Sequence, residues 1–209
     1  DAYDYASDGC WEVLVDGKTE YNYGHIELLP CMEAMINRGR SLISNKLIGR
    51  DNGENIVDKL KTFDDFYREY MDQVRYRIDM TLQNKIKYHD EVHKIAPDIF
   101  LSAFVKDCVD NGRDITNKGA RYRIYTLFAT GLSHCIDSLS AIKKLVYDDK
   151  LLSISEAIKV IKSNWKDAED LRQICLNRTP KYGNDDDESD KILVRFLNDF
   201  CDYADHWNK

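Results

Sequence analysis

The sequence predicts a helix-rich α/β fold with few strands. Only three prolines and ten glycines occur among its 209 residues, and both residue types disfavour the interior of a helix. Apolar residues recur every three or four positions in several long segments, which is the spacing of a helix face packed on a core. Two short segments instead carry the apolar or alternating aromatic pattern that is typical of strands.

The N-terminal segment predicts one extended stretch followed by a helix. Residues 11–15 (Trp-Glu-Val-Leu-Val) read as a short strand or extended loop, and Asp16–Gly17 predicts a turn after it. Residues 26–37 carry apolar side chains at helical spacing, and Gly39 just beyond them is a typical helix stop. We therefore expect a helix over 26–37.

A long helix is predicted to begin after Thr62. The Thr62 side chain can cap the helix, and Asp65 lies three residues on, where a carboxylate completes the cap. The helix must end before Pro97. Its predicted buried stripe has a residue at every fourth position: Phe66, Tyr70, Val74, Ile78, Leu82 and Ile86.

The second half of the chain predicts more helices and one strand. A helix over residues 100–109 is expected to stop at Gly112, and residues 120–128 alternate and are rich in aromatics, which predicts a strand. Further helices are predicted over 133–147, after the capping box of Ser153 and Glu156, over 167–176 and over 188–206.

Composition excludes several classes of protein. The chain has 30 Lys and Arg against 37 Asp and Glu, a net charge of −7, and its basic residues are scattered. Nucleic-acid binding usually needs a basic stripe, so it is not expected. No apolar run approaches the ~18 residues of a membrane span, and no signal peptide is visible. We expect a soluble cytoplasmic protein and, because Asp1 is not a methionine, a processed or excised piece of a longer one.

The cysteines and histidines give no metal-binding pattern. No two of the six cysteines form a C-x-x-C motif. His89 and His93 have a metal-compatible i, i+4 spacing, but no third ligand is evident, so a solvated helix face is the expected reading. Five cysteines fall in helix-like segments and are predicted to be reduced, buried and inert: Cys31, Cys108, Cys135, Cys175 and Cys201.

Cys10 differs from the other cysteines because it lies in a segment with no helical period. In extended backbone, residues i and i+2 point to the same side, so the Cys10 thiol and the Glu12 carboxylate are predicted to face one cavity. An apolar cavity would raise the pKa of the carboxyl group toward neutrality, as a general acid or base requires. By itself, His25 reads as a helix-entry residue; beside Cys10 and Glu12 it is a candidate substrate contact.

The order of several short motifs resembles the glycyl radical enzymes, the relatives of pyruvate formate-lyase. The resemblance begins with Gly9-Cys10-Trp11-Glu12 and Gly17-Lys18-Thr19, and it extends over nearly the whole chain. Its other parts are the segments at 36–39, 101–108, 114–116, 119–122, 137–147 and 180–187.

The resemblance implies a specific chemistry. Members of the family fold as a ten-stranded α/β barrel with the cysteine on an interior loop. An activating enzyme that uses S-adenosylmethionine and an iron–sulfur cluster makes a radical on a C-terminal glycine, and that radical oxidises the cysteine to a thiyl. By this resemblance Cys10 is the thiyl site and Glu12 is the proton donor or acceptor; the segment itself is expected to bind no cofactor and no metal.

Departures from the family pattern indicate which part of the enzyme this chain represents and which branch of the family it resembles. The C-terminal glycyl radical loop is absent from the sequence, so residues 1–209 are expected to be a central to C-terminal portion of the barrel domain, inactive alone. Cys10-Trp11 replaces the two adjacent cysteines of pyruvate formate-lyase itself, which points to the dehydratases, decarboxylases and lyases. Diol dehydratases place an aspartate where Gly24 stands. Lys118 and Arg123 also depart from the family's usual Gly-Gly-Ala-Arg-Tyr-Asn.

We therefore expect a fragment of a radical lyase that cleaves a C–O, C–N, C–S or C–C bond of a small metabolite. The alternatives are an arylacetate-type decarboxylase of the same family, which His25 favours, and a catalytically silent helical segment with a structural or interaction role. The resemblance implies a small-molecule substrate and an activating enzyme as partner, and it implies binding to neither nucleic acid nor membrane. A homodimer is the assembly considered for the full-length enzyme.

Overall fold

A computed structural model describes residues 1–9 and 12–208 of the chain. The strands of this part are β1 (Tyr5–Asp8), β2 (Glu12–Val15), β3 (Thr19–Glu27) and β4 (Tyr122–Thr130). Its α-helices are α1 (Leu28–Ile36), α2 (Ile56–Lys59), α3 (Phe63–Glu91), α4 (Ile99–Ser102), α5 (Cys108–Asn111), α6 (Leu132–Ile142), α7 (Ile154–Lys162), α8 (Glu169–Asn177) and α9 (Asp187–Ala204). Helix therefore dominates the described residues, and the prediction of few strands is confirmed.

The chain folds into two compact units. The first comprises residues 1–26 and 78–128, and the second comprises residues 27–77 and 129–209. The long helix α3 contributes its first half to the second unit and its second half to the first. None of the described helices is long and apolar enough to cross a membrane.

In the first unit, β1 and β2 form an antiparallel hairpin. The register runs from Tyr5 opposite Val15 to Asp8 opposite Glu12. The strand predicted over 11–15 is thus confirmed from Glu12 onward, and the predicted turn at Asp16–Gly17 follows it. Gly17 has φ +62°, a left-handed conformation that glycine adopts without steric cost.

Strands β3 and β4 pair in a second sheet. Residues that contact each other across the two strands increase in number together along both strands. Glu20 contacts Arg123, Gly24 faces Leu127, and His25 contacts Phe128. Equal steps along both strands mean that the strands run parallel. Helices α1 to α5 lie between them in sequence, as a parallel pair requires a long connection.

The start of the first predicted helix is wrong. Residues 26 and 27 end β3, and α1 begins at Leu28, with Pro30 in its first turn, where proline is tolerated. The strand was missed because its buried positions include Glu20, Asn22 and Gly24, so no apolar alternation is visible. The strand predicted at 120–128 is confirmed as β4, whose sequence does alternate.

Helix α3 confirms the predicted cap and buried stripe. The Thr62 backbone N–H donates to Asp65 Oδ2 over 2.9 Å, and the Asp65 N–H donates to Thr62 Oγ1 over 3.1 Å. All members of the stripe through Leu82 are buried, and Ile86 is half-buried. The capping box of Ser153 and Glu156 at α7 is also confirmed, as are helices near the other predicted ranges.

The single helix predicted over 100–109 is wrong. Two one-turn helices, α4 and α5, stand there instead, and Asp107 between them has φ 75°. Val105 and Cys108 are buried in a small cluster with Ile115, with Ala120 packed against it. Packing into that cluster, rather than onto a long helix face, breaks the helix. Phe100 and Phe104 are left exposed.

The core of the second unit forms around α1, α3, α6 and α9. The Tyr70 hydroxyl lies 3.0 Å from Cys135 Sγ and donates to the Leu28 carbonyl over 3.3 Å. Burial raises the pKa of the Cys135 thiol to about 11 and that of the Cys31 thiol to about 12. The prediction of buried, reduced cysteines is confirmed for these two and for Cys108, whereas Cys175 is half-buried and Cys201 is exposed.

Candidate active site

The predicted site is centred on the hairpin of β1 and β2. Cys10 lies outside the described residues, so its place relative to Glu12 stays a prediction. Glu12 is the first residue of β2 and is half-buried, in the extended backbone that the spacing argument requires. Cross-strand pairing therefore fixes the backbone of the described chain from Glu12 onward.

The Glu12 side chain lies directly over Gly9. A Cβ built on Gly9 would stand 2.8 Å from Glu12 Oε2 and 3.3 Å from Glu12 Cδ, closer than an ordinary carbon contact. Gly9 also has φ +57°, which L side chains rarely adopt. The sequence singled out Gly9 only as part of a motif; the structure shows that its missing side chain leaves room for the carboxylate.

We expect Gly9→Ala to lower turnover because the new methyl group displaces the Glu12 carboxylate. Gly112→Ala is the matched control, since Gly112 has φ +58° and open space where its Cβ would stand. Both variants should lose about 1–3 kcal/mol of stability from backbone strain. Only Gly9→Ala should lose activity in the complete, activated enzyme; equal kcat values for the two variants would contradict a positioning role for Gly9.

The structure places His25 in β3, not at a helix entry. Burial alternates along β3, so that Glu20, Asn22, Gly24 and Ile26 are buried and His25 is exposed on the other face. His25 packs near Phe128 of β4, with ring centroids 5.3 Å apart. His25 therefore lies on the face of the sheet opposite to Gly24.

Gly24 is packed against α3. A Cβ at this position would lie 2.4 Å from Thr81 Cγ2 and 3.7 Å from Leu127 Cδ2. An aspartate here, as in the diol dehydratase pattern, would collide with Thr81 unless the strand or helix moved.

An ionic network, which the sequence did not reveal, joins β3 to β4 and to the end of α3; it is buried around Glu20 and exposed around Asp90. Glu20, only 5% exposed, forms an ion pair with Arg123, with Nε and Oε2 3.0 Å apart. His89 Nδ1 lies 3.5 Å from Glu20 Oε1. Asp90 Oδ1 forms ion pairs with Arg123 Nη1 at 3.6 Å and with Lys118 Nζ at 3.0 Å.

Burial has the largest effect on the pKa values of Glu20 and His89, whereas the hydrogen bond from Lys118 has the largest effect on Asp90 and lowers its pKa. Desolvation raises the pKa of Glu20, opposed by the nearby Arg123 guanidinium, and desolvation lowers the pKa of His89. The sequence signal was present in Lys118 and Arg123, the two residues that depart from the family motif, but their partners were not evident. The solvated helix face expected from the sequence is wrong for His89, whose side chain is only 14% exposed. The described residues contain no cluster of three or more His, Cys, Asp or Glu able to hold a metal.

Comparison with known proteins identifies the family. A family model described as pyruvate formate lyase-like matches residues 1–208. The chain is 33% identical over 206 residues to (2S)-3-sulfopropanediol dehydratase of Klebsiella oxytoca, covering 96% of this chain and 24% of that protein. It is 28% identical over 229 residues to indoleacetate decarboxylase of Tractidigestivibacter scatoligenes, covering 96% and 25%.

The solved structures agree. The crystal structure of hydroxyproline dehydratase from Clostridioides difficile with trans-4-hydroxy-L-proline bound superposes with a TM-score of 0.89 at 29% identity, covering 97% of this chain and 26% of that one. The chain thus spans about a quarter of the length of these relatives. It belongs to the pyruvate formate lyase-like family of glycyl radical enzymes.

Proposed function

We propose that this chain carries the cysteine and the acid–base carboxylate of a glycyl radical lyase. The observation that supports it most is the family match over residues 1–208, which includes the Gly9-Cys10-Trp11-Glu12 motif. The proposed reaction is the radical cleavage of a C–O, C–N, C–S or C–C bond in a small metabolite.

Cys10 and Glu12 have separate roles in this proposal. The Cys10 thiyl takes a hydrogen atom from a substrate carbon, which leaves a thiol and a carbon-centred substrate radical. Proton transfer with Glu12 then allows the leaving group to depart, and the product radical takes a hydrogen atom back from the Cys10 thiol. The position of Glu12 at the head of β2, held over Gly9, supports its assignment as the proton carrier.

The surroundings of the site are also proposed. Residues 1–209 form a central to C-terminal portion of a ten-stranded barrel domain, with β3 and β4 as two of its strands. The glycyl radical lies outside this chain, and an activating enzyme with S-adenosylmethionine and an iron–sulfur cluster installs it. We place the enzyme in the cytoplasm, with a homodimer as its candidate assembly. An enclosed barrel would exclude water and oxidants from the thiyl.

We expect Glu12→Gln to reduce kcat in the complete, activated enzyme by about 10²–10⁴-fold, the usual contribution of a general acid or base. The amide keeps the shape of the side chain but cannot carry the proton. Glu91→Gln is a suitable control because Glu91 is exposed and pairs only with Lys94 among the described residues. Turnover that is unchanged in Glu12→Gln would remove the acid–base role.

A second candidate reaction is an arylacetate-type decarboxylation within the same family. The observation that favours it is the aromatic environment of His25, whose ring contacts both Tyr23 and Phe128. The product distinguishes this reaction from cleavage of a C–O, C–N or C–S bond, because the decarboxylation releases carbon dioxide, which headspace analysis of turnover mixtures detects.

A further inference from the structure

The Lys18 side chain bridges two carboxylates at the turn between β2 and β3. Its Nζ lies 2.5 Å from Asp1 Oδ1 and 2.6 Å from Asp4 Oδ2. Both carboxylates come from the segment before β1, and the Lys18 side chain between them is only 14% exposed. The ammonium group therefore joins the start of the first strand of the hairpin to the end of its second strand.

Main-chain hydrogen bonds hold the same turn from three directions. They run from the Asp16 N–H to the Asp4 carbonyl at 2.8 Å, from the Lys106 N–H to the Gly17 carbonyl at 2.7 Å, and from the Tyr122 N–H to the Lys18 carbonyl at 3.0 Å. The Tyr122 hydroxyl also donates to the Asp1 carboxylate. Because Tyr122 is the first residue of β4, these bonds attach the turn to the β3–β4 sheet.

The hairpin of β1 and β2 needs this attachment to hold its place. Its two strands pair with each other and, among the described residues, with no other strand. A two-stranded hairpin is at best marginally stable in water by itself. Tyr5 and Val13 of the hairpin are 62% and 44% exposed, so these side chains contribute little apolar packing within the described part of the chain.

The Lys18 turn and the predicted catalytic residues lie at opposite ends of the hairpin. Pairing begins at Tyr5 and Val15, beside the turn of Lys18, and ends at Glu12. Cys10 lies in the sequence between the two strands, just beyond that far end. Cross-strand pairing fixes the register of the two strands, so a shift at the Lys18 end is transmitted to the Glu12 end.

We propose that Lys18 is a positioning residue, which sets the place of Cys10 and Glu12 by holding the open end of the hairpin against β4. Without its ammonium group, the Asp1 and Asp4 carboxylates repel each other and the open end spreads. Lys18 acts through the hairpin rather than on the substrate. This inference rests on the proposed function, because it concerns the positioning of the same two residues.

The test measures how fast iodoacetamide alkylates Cys10 in the complete enzyme before activation, followed by peptide mass spectrometry. Lys18→Met keeps the aliphatic stem and removes the charge. We expect Cys10 in Lys18→Met to react at least about tenfold faster than in the wild type, the scale of one lost charge-assisted hydrogen bond. A wild-type rate in Lys18→Met would overturn the inference.

Controls separate positioning from general stability. Cys135, which is 0% exposed in the other unit, should remain unreactive in Lys18→Met, and equal acceleration at Cys135 and Cys10 would overturn the positioning role. Lys94→Met is the matched variant, because Lys94 forms an exposed pair with Glu91 in the same unit as the hairpin. Cys10 should react at the wild-type rate in Lys94→Met; the same acceleration there as in Lys18→Met would also overturn the inference.

The outcome is separable from that of the proposed function, because alkylation needs no radical. If Lys18→Met leaves the alkylation rate unchanged while Cys10→Ser abolishes turnover, the positioning role is wrong and the radical lyase stands. If Lys18→Met accelerates alkylation but Cys10→Ser is active, the positioning role stands and the thiyl assignment is wrong.

Discussion

Cys10→Ser is expected to abolish turnover in the complete, activated enzyme. A serine O–H bond is too strong to be opened in place of the thiol S–H bond, so the hydrogen atom cannot be relayed to and from the substrate. Because only one atom changes, folding and substrate binding should persist. The measurement is product formation, together with electron paramagnetic resonance to show that the activated enzyme still carries its organic radical.

Cys201→Ser is the matched control for this variant. Cys201 is exposed on α9, in a different unit from the hairpin, and it should be dispensable. The thiyl assignment requires normal turnover in Cys201→Ser and none in Cys10→Ser. Substantial product from an activated Cys10→Ser enzyme would contradict it.

Arg123→Met is expected to give the largest loss of stability, about 3–5 kcal/mol, because breaking a buried ion pair leaves an uncompensated charge. Glu20 is 5% exposed and its pKa is already raised by burial. Without the guanidinium, either the carboxylate stays charged in a dry site or it takes up a proton. The measurement is the free energy of unfolding from denaturant titration of the complete protein.

Arg121→Met provides the comparison for the buried pair. Arg121 forms two hydrogen bonds to Asp107, but its side chain is 37% exposed and that of Asp107 is 22% exposed, more than in the Glu20 pair; pairs in contact with solvent contribute up to about 1 kcal/mol. The double variant Glu20→Leu/Arg123→Met should recover much of the stability that Arg123→Met loses, because neither charge is then buried. Similar losses for Arg121→Met and Arg123→Met would show that burial does not govern the Glu20 pair.

The elements whose signals are local were predictable from the sequence. The Thr62–Asp65 cap, the four-residue stripe of α3 and the Ser153–Glu156 box each depend on residues within one or two helical turns of each other. Strand β4 was predictable because its aromatic and apolar residues alternate. These features need no knowledge of what packs against them.

The elements that failed depend on partners distant in sequence. Strand β3 buries Glu20 and Asn22. Asn22 donates to Glu20, and Glu20 pairs with Arg123, which is more than 100 residues away in sequence. The helix predicted over 100–109 breaks because Val105 and Cys108 pack with Ile115.

The candidate site likewise has features that local sequence predicts and features that depend on residues distant in sequence. The pairing of a thiol and a carboxylate two residues apart was evident from spacing, and the family motif gave their roles. Three features of the site were not evident from the sequence: the space that Gly9 leaves for the Glu12 carboxylate, the collision of a side chain at Gly24 with Thr81, and the packing of His25 against Phe128. Each depends on how two strands, or a strand and a helix, are placed relative to each other.

The most direct test of the central claim is a crystal structure of the complete enzyme that locates Cys10 Sγ and the Glu12 carboxylate. The radical mechanism predicts that both groups face a single cavity closed to bulk water, with room for a substrate carbon beside the sulfur. A Cys10 side chain that points into bulk solvent, with no cavity next to it, would contradict the mechanism.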